Sequence, residues 1–156
     1  MLGTRDSMTV RFELRCDPSA PVQARRLLRM MLASAPQGRA LGARSTDVEL
    51  LLSELVSNAV VHGRCDHTVL TIDLSAPDRV RIEVSDPGRG GAVERRVADL
   101  AGAGGLGLHL VDRLASGWGH RDEPSRRTVW FEVELGAGSH VGATEPVAGT
   151  DVSTPI

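Results

Sequence analysis

The sequence predicts an α+β domain in which helices cover one face of a mostly antiparallel sheet. Three observations lead there. Residues 8–15, 67–75, 79–85 and 127–135 alternate apolar and polar side chains, as strands with one buried side do. Residues 18–34, 45–62 and 108–115 instead repeat apolar positions every three or four residues, the period of helices that bury a face. Ala76, Pro77 and Asp78 form a turn between the two middle strands, which makes them an antiparallel hairpin.

Taken in order, Val10, Phe12 and Leu14 share one side of the first strand. Pro18 opens a helix through about Ser34, with Val22, Leu27, Leu28, Met31 and Leu32 as its apolar stripe. Residues 35–44, with Pro36, Gly38 and Gly42, read as a loop. The next helix, 45–62, has Val48, Leu51, Leu52, Leu55, Val56, Ala59 and Val60 on a broad apolar face. Ser45 or Thr46 can cap its start, and Gly63 reads as a left-handed stop. Beyond the hairpin, residues 93–100 are short and charged and allow a turn or two of helix. A glycine-rich stretch, 101–107, then runs into an apolar helix from Leu108, which Gly117, Trp118 and Gly119 break. Val129, Phe131, Val133 and Leu135 point inward from the last strand. Residues 136–156 carry almost no large apolar side chain and read as a disordered tail behind a domain spanning 8–135.

Composition excludes several functions. All 18 basic side chains are arginine, and lysine and tyrosine are absent. Without lysine the chain cannot form a P-loop or the strand-lysine site of the protein-kinase fold. A formal charge of −2 gives no electrostatic footprint for nucleic acid or a membrane surface. Two cysteines, far apart at 16 and 65, fit reduced thiols better than a disulfide framework. With no signal-like start and no apolar run of spanning length, the expected location is cytoplasmic.

Glu54 and Asn58 stand one turn apart along the edge of an otherwise apolar helix, and Asn58 is the sole asparagine. Such a pair suits a solvent rim. It also suits a site in which the amide oxygen of Asn58 binds Mg²⁺ and Glu54 takes a proton from an attacking hydroxyl or water. Asp86, in Asp86-Pro87-Gly88-Arg89-Gly90, ends the hairpin. The tripeptide is a common turn, but an ionised aspartate only accepts, which matches the exocyclic amine of adenine, and Gly88 and Gly90 let backbone approach a base. Gly104, Gly105 and Gly107 before a helix are either a flexible loop or a phosphate cradle. His62, Cys65 and His67 match no zinc spacing, and His62 at a helix end is explained by the dipole. Trp130 alternates away from the buried face and is a candidate for a protein contact.

The order of these signals resembles the histidine-kinase-like ATPase superfamily, the Bergerat ATP-binding fold, across residues 8–135. ELVSNAVVHG is similar to its N box, VSDPGRG to its first glycine box and GGLGLHLVDRLASGWG to its second. The fold this implies is a two-layer α/β sandwich, a mixed, mostly antiparallel sheet with helices on one face. The compact size points to the small anti-sigma factor serine kinases. That resemblance implies an ATP-binding anti-sigma factor, usually a homodimer, that binds a sigma factor and phosphorylates a serine of an anti-anti-sigma partner. Carried over by position, Glu54 is the base and Asn58 holds Mg²⁺. His62, Asp86, Gly88, Gly90, Gly105, Leu106 and Gly107 belong to the nucleotide site.

Two positions depart from the family pattern. Better known members carry an arginine shortly before the second glycine box, where this chain has Gly102, Ala103 and Gly104, leaving Arg95 or Arg96 as the substitute the stretch offers. The last strand usually begins Gly-Thr, with the threonine near the base. Here Arg127 takes that register and Thr128, one residue late, falls on the other side. The first departure makes a non-catalytic ATP-binding module that sequesters a protein partner the alternative function.

Overall fold

In the computed structural model the description covers residues 8–35, 44–63, 66–86 and 106–135, with backbone alone at 106–109. The elements run β1 (Thr9–Arg15), α1 (Ala20–Ser34), α2 (Ser45–His62), β2 (His67–Asp73), β3 (Arg79–Asp86), α3 (Leu106–Leu114), β4 (Gly117–Glu123) and β5 (Arg126–Glu134). The strands form one sheet in the order β1-β2-β3-β5-β4. All four pairings among the described residues are antiparallel, so the mixed sheet expected from the sequence is here uniform.

Alternation explains the layers. Leu14, Leu70, Ile72, Val80, Ile82, Val84, Phe131 and Val133 turn to one face of the sheet and are buried. Ala24, Leu28 and Met31 of α1 and Val48, Leu51, Leu52, Leu55 and Val56 of α2 meet them there, with Val111 of α3. The two long helices are also joined at their polar edge. Arg29 grips Glu49 with two hydrogen bonds, Nε to Oε1 at 2.8 Å and Nη2 to Oε2 at 2.6 Å, and Arg25 donates to Ser53 Oγ at 2.7 Å.

The opposite face is charged. Arg81 lies 4.0 Å over the Trp130 ring and donates to Glu83 and Glu132, each at 2.9 Å. Burial works against its charge, but those two carboxylates outweigh it and hold Arg81 protonated more firmly than an ordinary arginine. Trp130 is therefore half-buried and already stacked within the chain.

Three local expectations are corrected. Gly117, Trp118 and Gly119 stop the helix but also begin a strand, β4, along β5. Gly119 is suited to it because a Cβ would come within 3.0 Å of the Trp130 ring, so the missing side chain lets the indole lie flat on the neighbouring strand. Arg44, not Ser45 or Thr46, stands at the cap of α2, and its side chain makes no cap hydrogen bond. Gly63 closes α2 with φ −68°, a right-handed conformation, so its need for glycine has a steric cause given below. Residues 93–100 and 136–156 lie outside the described residues, as does Cys65.

Candidate functional site

The candidate site lies where α2 ends against β3. Glu54 and Asn58 lie on α2 and both are partly exposed, beside the fully packed Leu55 and Val56. His62, also half-buried, is the last residue of the helix. Gly63 then lies directly against Asp86: a Cβ on it would stand 2.6 Å from Asp86 Oδ2 and would collide with the Ala59 carbonyl. That carbonyl already accepts the Gly63 N–H at 2.8 Å. Only glycine lets the helix end and the carboxylate approach this closely. Along the axis of α2, Asn58 lies about 7.5 Å and Glu54 about 13.5 Å from Gly63 at the helical rise.

The floor is a single row of the sheet. Asp86 continues the inward set of Val80, Ile82 and Val84 and is 7% exposed. Its partner on β5 is Arg127, and the partner of Arg127 on β4 is Asp122. On the β2 side, Thr68 precedes Val69, which pairs with Ser85, so Thr68 takes the same row and is fully buried. Thr68 Oγ1 donates to the Ser85 carbonyl at 2.8 Å. The face that is Leu70, Val84 and Val129 one step inward thus becomes Thr68, Asp86, Arg127 and Asp122 at its end. An apolar wall that turns polar along one edge suits a ligand with a flat apolar body and polar rim.

Thr128 is on the opposite face, where its hydroxyl meets that of Ser85 at 2.8 Å and both are buried. Arg127 is a candidate that no motif marks. Its Nε lies 3.5 Å from Asp122 Oδ1, too far for a good hydrogen bond, while Nε and Nη2 are buried without a hydrogen-bond partner. Its place opposite Asp86 comes from the β3–β5 register, which the hairpin does not fix. The inward parity of Thr68 with Leu70 and Ile72 was legible.

α3 begins at Leu106, two residues earlier than its apolar pattern indicates, so Leu106 and Gly107 form its first turn. Backbone N–H groups in a first helical turn have no acceptor within the helix and suit an anion. Gly88, Gly90 and Gly105 lie outside the described residues, as do Arg95, Arg96 and Gly102 to Gly104. α3 is tied to β4 by Trp118 Nε1, which donates to Asp112 Oδ1 at 2.6 Å. No helix among the described residues is long and apolar enough to cross a membrane.

No curated protein matches the chain. The family model of the histidine kinase-like ATPase domain matches residues 18–133, from the turn before α1 to the buried Val133 near the end of β5. With that match over most of its length and a sandwich whose polar row meets the end of α2, the chain belongs to the histidine kinase-like ATPase domain family and carries an ATP-binding domain.

Proposed function

We propose that the protein is an ATP-binding anti-sigma factor with serine kinase activity on an anti-anti-sigma partner, working with Mg·ATP. The observation that supports this reading best is the packing of Gly63 on Asp86, which sets a carboxylate against the end of the helix that carries Asn58 and Glu54. Asp86 accepts from the adenine amine at one end. Asn58 offers its amide oxygen further along. Among the described residues no three His, Cys, Asp or Glu side chains converge, so the donor set suits an ion that takes its remaining ligands from water and phosphate, as Mg²⁺ does. Bound there, Mg²⁺ supplies charge neutralisation on the phosphates.

Glu54 accepts the proton of the serine hydroxyl as that oxygen bonds to the γ-phosphorus. The bond from the γ-phosphorus to its bridging oxygen breaks, and ADP leaves with the electron pair. The chain's contribution is positioning and electrostatics. The first turn of α3, with Leu106 and Gly107, offers N–H groups to the phosphates.

The second reading, a non-catalytic ATP-dependent module that sequesters its partner, is favoured by Gly102, Ala103 and Gly104 standing where family members have an arginine. Incubation of the full chain with γ-labelled Mg·ATP and proteins co-purified from the native cell separates the two. Label on a partner serine supports the kinase. ATP binding with a stable partner complex and no labelled serine supports the module instead.

A further inference from the structure

We infer that Arg127 is a nucleobase-reading residue, donating a guanidinium N–H to a ring nitrogen of adenine beside the amine that Asp86 accepts. This rests on the reading of Asp86 as the base-binding carboxylate. Three observations carry it. Arg127 and Asp86 are cross-strand partners on β5 and β3 and share the inward face, so their side chains start side by side at the end of the sheet. The arginine is 15% exposed, and its Nε and Nη2 are buried with no hydrogen-bond partner. Its one ion-pair partner among the described residues, Asp122, is 3.5 Å from Nε and is shared with His120, whose Nε2 lies 3.7 Å from the other carboxylate oxygen.

Buried donors without acceptors oppose folding, and the group that relieves them has to be an acceptor reaching the polar row. A phosphate is poorly placed to be that group. In the proposed alignment the metal-binding Asn58 is about 7.5 Å along α2 from the Gly63–Asp86 contact, and the phosphates go with it. What lies over Asp86 is the base. Adenine shows its exocyclic amine, a donor, flanked on either side by a ring nitrogen, an acceptor. A carboxylate next to a guanidinium presents the complementary acceptor and donor. Asp122 then acts as a positioning residue, holding the guanidinium in its row without consuming its donors.

The experiment is calorimetric titration of the full chain, in Mg²⁺, with ATP, 1-deaza-ATP, 7-deaza-ATP and GTP. Wild type is expected to bind one of the two deaza analogues at least tenfold more weakly than ATP. R127M is expected to lose about the same factor for ATP and to bind ATP and that analogue alike, because the donor that told them apart is gone. R127T, with a side chain favoured in strands and too short to reach a base, is the second variant should R127M fail to fold. Equal binding of ATP and both deaza analogues by wild type overturns the inference without any variant. So does a variant that still discriminates, a uniform loss for ATP and analogues in R127M, which would mean stacking, or tighter binding of GTP than ATP. Where ATP still binds better than GTP, only the role of Arg127 fails; tighter binding of GTP also removes Asp86 as acceptor of the adenine amine. No ATP binding by wild type overturns the ATP-pocket reading and this inference with it.

Discussion

Glu54 and Asn58 divide the proposed chemistry, and single substitutions separate them. Replacing Glu54 by Gln keeps its size and removes its basicity. Transfer to serine is expected to fall by at least about 100-fold, the usual contribution of a positioned general base, with ATP affinity unchanged. Single-turnover assays beside calorimetry check this, and retained turnover would remove Glu54 as the base. For Asn58→Ala the expectation is reversed in kind. Mg·ATP affinity should drop by at least about tenfold, the scale of a lost charge-assisted contact, while affinity for ATP in excess chelator changes little. An unchanged Mg·ATP affinity would refute the metal role. Both residues are candidates by sequence alone, because a carboxylate and a lone asparagine stand out on an apolar helix. Arg127 was visible as a departure, but not its idle donors, since whether an arginine finds a partner depends on where the neighbouring strand puts its carboxylates.

At the scale of elements, α2 depends on its end. Gly63 is held in a right-handed conformation that any residue can adopt, so its requirement is space and not backbone freedom. Gly63→Ala forces a methyl between the Ala59 carbonyl and the Asp86 carboxylate and is expected to destabilise the protein by about 1–3 kcal/mol, the range for overpacking. ATP affinity should fall alongside, because Asp86 has to move; denaturant unfolding and calorimetry on the same sample check both. The α1–α2 joint responds to pH. Hydrogen bonds from Arg29 hold the Glu49 carboxyl below its usual 4.5. A carboxylate depressed by folding adds stability above its unfolded value and loses it as pH falls through the lower folded value. Glu49→Gln should therefore lower the melting temperature slightly at neutral pH, with the gap to wild type closing in acid. The effect stays small because Arg29 is 63% exposed and solvent screens the pair. A gap that widens in acid would contradict the assignment. Among the elements, β4 was the one the sequence concealed. Its segment, Gly117–Glu123, has two glycines and a charged end, and what makes it a strand is the length of β5 and the Trp130 ring beside it.

For the whole molecule, the family match at 18–133 and the described core within 8–135 make residues 8–135 the expected folding unit. A fragment of that extent should melt at the same temperature as the full chain and bind ATP with the same affinity. A lower midpoint would mean that residues 136–156 contribute to the domain. By itself the sequence determined the α+β class, the two long helices, the hairpin, the inward faces of most strands and the order of the motifs that carry the family resemblance. These follow from local periodicity and motif spacing, which the chain carries whatever its final packing. Tertiary structure alone decided that every strand pairing among the described residues is antiparallel, that Gly63 touches Asp86, and that Thr68, Asp86, Arg127 and Asp122 fall in one row. Those residues are separated by long stretches of chain, and their meeting is set by strand order and register, which no local pattern encodes.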